Sequence, residues 1–231
     1  GEQIWLVDIE GKVDQEIINL SDKAKVKASW CPDGERIVVV GEHKKYRRLG
    51  IWSLSNKKLD WLVDDPKRNI EYAHMPRHSK HIVIEEIKNA RSAFSLLHPD
   101  TLEEKSLPAV PDGTLTAIAP LPGEEQWIGV SYGSNQPRDL VLYPPNKKFE
   151  AHTSISNVWS QTKLLPRQLV QTENFYWNSV DELKIQGWLY KTRVEPRGTI
   201  VCVHGGPSGH SEDSLDPEIQ FYLSLGFNVL D

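Results

Sequence analysis

Cysteine is nearly missing from this sequence: Cys31 and Cys202 are the two among 231 residues. Two thiols cannot build a disulfide framework or a cysteine-rich metal cluster. Long apolar runs are missing as well. The longest, Ile37–Val40 and Ile200–Val203, fall far short of the roughly 20 residues that a helix needs to cross a bilayer. The opening Gly1-Glu2-Gln3-Ile4-Trp5 has no basic region leading into an apolar stretch, so no secretory signal is visible. Nor is there an excess of one charge: 27 Lys and Arg face 32 Asp and Glu, a formal net charge of −5. Such a balance leaves no electrostatic footprint for nucleic acid or an anionic membrane. These absences exclude a membrane protein, a small secreted disulfide scaffold and a zinc finger. An apolar fraction of 39% excludes a disordered chain. What remains is a globular chain expected in the cytoplasm, long enough for one large domain or two modest ones. It opens on Gly1 and stops at Asp231, directly after the apolar run Phe227–Leu230, and so reads as a fragment.

What is present is a repeat. Three segments, Ser29–Val40, His74–Ile84 and Pro120–Val130, share a turn followed by an apolar strand, and their prolines Pro32, Pro76 and Pro122 lie 44 and 46 residues apart. A companion strand follows each: Gly50–Leu54, Ala93–Leu97 and Asp139–Tyr143. The opening Ile4–Gly11 looks like the same companion strand of an earlier unit. β-Branched and aromatic runs bounded by Pro, Gly, Asn and Asp are strand signals. Four short strands per unit at roughly 40–45 residues is the pattern of β-propeller blades. An ordinary β-sandwich is the competing reading, disfavoured because several landmarks recur in phase. About three to four blades are accounted for over residues 1–165.

From Pro166 the character changes. Gln168–Trp177 reads as a strand, and Leu183–Tyr190 alternates apolar and polar as a half-exposed strand does. Gly198–Val203 is apolar throughout, which predicts a strand buried on both faces. It runs into His204-Gly205-Gly206-Pro207-Ser208-Gly209-His210. Apolar residues at 219, 222, 223 and 225 mark one face of a helix that Gly226 stops, and Phe227–Leu230 is the next strand. Strand, loop, helix, strand is the start of an α/β sheet. A strand that ends in two glycines also has a chemical reading, because glycine lets a backbone N–H face a cleft with no side chain in the way. The bland alternative is a tight strand-to-helix turn with a satisfied histidine.

A propeller tail, two strands, then a buried strand ending in His204-Gly205-Gly206-Pro207 resembles the prolyl oligopeptidase family of serine peptidases. The similarity is greatest to its acylaminoacyl-peptidase and dipeptidyl-peptidase-like branch, with Gly187-Trp188-Leu189-Tyr190-Lys191 before the strand and Leu225–Leu230 after the loop in matching order. The resemblance implies a partial β-propeller followed by the N-terminal start of an α/β-hydrolase domain over residues 166–231. It implies hydrolysis of short peptides, N-acylated ones among them, by a Ser-His-Asp acyl-enzyme route with neither metal nor organic cofactor. Gly206 is then the oxyanion-hole donor, with His204 and Gly205 supporting the loop. No Gly-x-Ser-x-Gly elbow of the family lies in residues 166–231. The nearest string there, Gly206-Pro207-Ser208-Gly209-His210, lacks the closing glycine, so Ser208 is read as a turn residue and no triad member is assigned within the chain. This chain alone is therefore expected to be inactive. Its implied partners are peptide substrates and the remainder of the same polypeptide, with a homo-oligomer left open and neither nucleic acid nor membrane expected. Two other readings stay open: a non-catalytic propeller scaffold with a degenerate hydrolase segment, and an esterase or amidase on the same fold.

Other clusters read as structural. His74, His78 and His81 with Glu85 follow blade spacing, with His78 at the turn position of Gly34, so a solvated turn is expected rather than a metal site. Glu85 and Glu86 are expected at a solvated strand end rather than gripping a substrate amino terminus. His43–Arg48 is expected as a solvated basic loop, and both cysteines as packing residues.

Overall fold

The structure, a computed structural model, describes residues 2–19, 24–110, 112–147, 152–206 and 209–231. Three four-stranded antiparallel sheets follow one another along the chain. The first holds β3 (Val26–Trp30), β4 (Arg36–His43), β5 (Tyr46–Ser53) and β6 (Lys58–Val63). The second holds β7 (Ile70–His74), β8 (Ile82–Lys88), β9 (Arg91–Leu97) and β10 (Glu104–Ser106). The third holds β11 (Thr114–Pro120), β12 (Trp127–Gly133), β13 (Gln136–Tyr143) and β14 (Thr153–Ser154). They are preceded by a two-stranded pair, β1 (Gln3–Val7) and β2 (Val13–Asn19). The three repeated segments thus occupy β4, β8 and β12, the second strand of each sheet, and the companion strands occupy β5, β9 and β13. This is a partial β-propeller.

Strand periodicity explains how the blades stack. Side chains alternate across a sheet, so β4 sends Ile37 and Val39 to one face and Val38 and Val40 to the other. The first pair packs with Ile18 and Trp52 against β1 and β2. The second pair joins Ile70, Ile82 and Ile84 of the next blade in a shared core. β8 repeats the device: Ile82 and Ile84 face backwards, and Val83 faces forwards onto Leu115, Trp127 and Tyr143. Each blade is completed by its neighbour. A left-handed residue recurs in the turns entering β4, β8 and β12. Gly34, His78 and Glu124 hold φ of 72°, 64° and 58°, and the third turn adds Gly123 at 90°.

A fourth sheet follows, in the order β15 (Glu173–Asn178), β16 (Lys184–Tyr190), β18 (Phe227–Leu230) and β17 (Gly198–Val201). β17 and β18 are parallel and joined through α1 (Pro217–Ser224). The Asp216 carboxylate caps that helix, accepting from the amides of Glu218 (2.7 Å) and Ile219 (3.4 Å). Gly226, at φ 87°, ends it. Ile219 and Leu223 of α1 pack on Trp188, Tyr190 and Val229.

Two expectations are corrected here. The strand read as Gln168–Trp177 begins at Glu173. Pro166–Gln168 forms a 3-10 turn, and the Gln220 side chain takes both the amide (2.9 Å) and the carbonyl (2.8 Å) of Val170. Those backbone groups therefore have no call for a ladder partner. The strand read as buried on both faces lies at a sheet edge. Ile200 and Cys202 face the core, whereas Val201 and Val203 are 62% and 87% exposed.

Stacking makes Trp127, fully buried between two blades, a strong test. Trp127→Ala is expected to cost about 3–5 kcal/mol, whereas Trp5→Ala, at a half-exposed position, is expected within about 0.5 kcal/mol. Urea unfolding midpoints of the two variants check this.

Candidate functional site

The loop after β17 leaves the sheet at Cys202, whose amide still donates to Leu230 O at 2.8 Å. His204, Gly205 and Gly206 then project into solvent. His204 Nδ1 donates to Gly205 O at 2.9 Å, folding the imidazole onto its own loop. Gly206 holds φ 125°, where an L side chain is strained. Its amide has no acceptor among the described residues. Gly209 returns so closely that a Cβ there would sit 2.9 Å from Gly205 O. Pro207 and Ser208, the turn residue expected from the sequence, lie outside the described residues. A cleft of about 210 Å³ opens beside this loop, lined by His204, His210, Trp177, Trp188 and Val203.

The far arm of the loop is held more tightly than the near one. Ser211 O accepts from Trp188 Nε1 at 2.9 Å, and Ser211 Oγ donates to Asp231 Oδ1 at 2.8 Å. Asp213 is 1% exposed, and both of its oxygens are used. Oδ2 accepts from Arg91 Nε (2.9 Å) and Nη2 (2.5 Å), and Oδ1 accepts from the Ser134 amide at 2.9 Å. Arg91 opens β9 and Ser134 sits in the turn between β12 and β13, so hairpins of two blades grip one carboxylate. The Arg91 guanidinium also lies over the Trp188 ring, 4.9 Å from its centroid. None of these three residues stood out in the sequence. Their separations of 122 and 79 positions leave no local signal, and a single sequence carries no other.

Neither thiol is a nucleophile candidate. Burial, then Asp33, pushes Cys31 up to about 11, and burial together with Asp231, Glu218 and Asp216 raises Cys202. His78 is a turn residue, and His81 faces Glu124 at 3.5 Å. Only the turn of the basic run is solvated, with Lys44 and Lys45 exposed between β4 and β5. Arg47 forms a fork with Glu71 (2.5 and 2.6 Å), and Arg48 pairs with Asp64 at 2.9 Å while stacking on Trp61. The alternating pleat of β5 sends Arg47 to Glu71 on β7 and Arg48 to Asp64, just past the end of β6.

Nor is Glu86 at a solvated strand end. It is 6% exposed and shares Arg68 with Glu104, at 2.8 and 2.7 Å, at one side of a cleft of about 840 Å³ that also borders Arg91. Glu85 instead accepts from Ser92 Oγ at 2.7 Å. Burial alone would raise Glu86 and Glu104, but hydrogen bonds and charge from Arg68 outweigh it and hold both below the ordinary carboxylate value of 4.5.

Similar folds are known. No family profile and no curated protein matches the sequence. Solved structures do: uncomplexed acylaminoacyl peptidase of Pyrococcus horikoshii superposes over 99% of this chain with TM-score 0.72 at 21% identity. A puromycin-hydrolyzing peptidase of Mycobacterium tuberculosis gives 0.68 at 14% over 96% of the chain. Prolyl oligopeptidase B of Galerina marginata gives 0.69 at 13% over 99%. The chain has the fold of the prolyl oligopeptidase-type peptidases. It spans about a third of their length: 34%, 35% and 34% of those three chains. The superposition takes in the blades and the mixed sheet together.

The acidic pair on Arg68 gives a signed expectation. Lowered folded values mean that its stabilisation is complete above the unfolded value and is lost as pH falls through the folded ones. Arg68→Met is expected to cost about 3–5 kcal/mol at pH 7. Its difference from wild type should shrink below pH 4.5. Urea unfolding at pH 7 and at successively lower pH measures both gaps, and a pH-independent gap contradicts the assignment.

Proposed function

We propose that this chain is part of a serine peptidase that hydrolyses short peptides, N-acylated ones among them, by acyl transfer. The observation that carries the reading is one continuous superposition on peptidases, running from propeller blades into a mixed sheet whose β17 ends in a glycine loop. In this reading residues 1–165 are propeller blades that limit access to small peptides. Residues 166–231 begin an α/β-hydrolase domain. The triad Ser, Asp and His belong to sequence outside these residues, and the setting is cytoplasmic.

The chemistry assigned to this chain is electrostatic. Attack on an acyl carbon moves negative charge onto the carbonyl oxygen, and a preorganised N–H aimed at that oxygen lowers the barrier. Gly206 supports this role through its backbone, because it is exposed past the strand end at φ 125°, with no side chain to cover its amide. Ligands of open α/β sheets bind beyond such carboxyl ends. His204 braces the loop through Gly205 O. The solved relatives named for acylaminoacyl peptides, puromycin and prolyl peptides favour amide bonds over simple esters as substrates.

A fluorophosphonate probe tests the reading at two levels. The 231-residue chain is expected to remain unlabelled, since its one Gly-x-Ser-x-Gly string, Gly129–Gly133, runs along β12 with Ser131 fully buried, and stoichiometric labelling of Ser208 or any other serine would overturn this. The gene product containing the chain is expected to label at one serine and to cleave acyl-peptides faster than simple esters. A Gly206→Val change in it keeps the N–H but strains φ 125°, and the resulting misplacement should lower kcat by about 10²-fold with little change in KM. Absence of both labelling and peptide cleavage in that gene product would instead favour a scaffold.

A further inference from the structure

We propose that Asp213 is a positioning residue through which two propeller blades set the placement of the Gly205–Gly206 loop; the inference rests on reading Gly206 as the oxyanion donor. Its carboxylate is fully enclosed, which is costly unless every lone pair direction is met by a donor. Arg91 meets one oxygen with two N–H groups and the Ser134 amide meets the other. A carboxylate needed only for solubility or for starting α1 would stay at the surface, and the cap of α1 is already supplied by Asp216.

The contacts form a continuous path to the glycines. The near end of the loop is fixed at Cys202 by the Leu230 carbonyl, and the far end at Ser211 by Trp188 and Asp231. Both of those anchors lie in the loop's own sheet. Asp213, two residues further on, adds the propeller. Arg91 serves both sides, since the guanidinium that binds Asp213 also lies over Trp188, whose indole holds Ser211 O. Between the anchors, Gly209 packs against Gly205 O with no room for a Cβ, so movement of the far arm is transmitted to the loop tip. Ser134 extends the coupling: its Oγ accepts from the Thr172 amide and its carbonyl from Gln220 of α1. A shift of either hairpin against the sheet would therefore change where the Gly206 N–H points. Misplacement of about 1 Å is enough to cost about 10²-fold in rate.

Two variants of the gene product containing this chain test the proposal. Asp213→Asn keeps the shape and an oxygen for Ser134 but removes the charge from Arg91, whereas Arg91→Lys keeps the charge and removes the fork. Hydrogen exchange followed by mass spectrometry on peptides spanning 131–136 and 209–216 is expected to accelerate about tenfold or more in Asp213→Asn. The peptide spanning 36–43 should be unchanged. With an acyl-peptide substrate, kcat should fall by about 10²-fold while KM stays within about twofold, and Arg91→Lys should be intermediate in both readouts. Unchanged exchange at 209–216, acceleration of all three peptides alike, or a loss confined to KM would overturn the proposal. If Asp213→Asn fails to fold, Arg91→Lys decides by the same criteria. If the wild-type gene product cleaves no acyl-peptide, the peptidase reading fails. The exchange data then decide on their own whether Asp213 ties the loop to the blades.

Discussion

Face-to-face burial of neighbouring sheets is the constraint on which this structure depends. No blade here has a core of its own. Val38 and Val40 are buried because Ile82 and Ile84 cover them, and Val83 is buried because Trp127 and Tyr143 lie on it. Period-two alternation in the second strand of each blade produces two apolar faces that can be satisfied only by a neighbour on each side. Stability is therefore shared along the stack. The polar edges left over at the hairpin tips are free to take on other partners.

Those edges meet the fourth sheet. At this junction Ala90 packs on the apolar core of the fourth sheet, and charge and backbone contacts add direction to it. Asp213 joins Arg91 and Ser134, while Gln220 satisfies Val170 and reaches Ser134. A buried carboxylate paired in this way adds little net stability compared with an apolar contact, but it fixes geometry, because only one arrangement satisfies both oxygens. Contact between the blades and the glycine loop is thus specific in direction. Under the proposed function, that property suits a loop in which the direction of one N–H matters.

Much of the fold could be read from sequence because its signals are local. The recurrence of Pro32, Pro76 and Pro122 ahead of apolar runs marked the second strands, and each of these turns carries a left-handed residue, Gly34, His78 or Glu124. The Ile219, Tyr222, Leu223 spacing and Gly226 marked α1 with its stop. What escaped was whatever depends on partners far along the chain. Glu86 and Arg47 look like surface charges until Arg68 and Glu71 are seen opposite them. The edge position of β17 follows from strand order, which its apolar composition does not encode. At the site, the glycine loop was legible as a motif, whereas Asp213 was one acid among several between Glu212 and Glu218.

In the proposed function the Gly206 amide is aimed at the oxygen on which charge develops. A crystal structure of the gene product containing this chain, with a covalent transition-state mimic bound, tests it most directly. The account predicts the Gly206 nitrogen about 2.7–3.1 Å from the mimic's oxyanion, with Asp213 still shared between Arg91 and Ser134. A Gly206 N–H bonded to a protein carbonyl, or turned away from the bound oxygen, would contradict it.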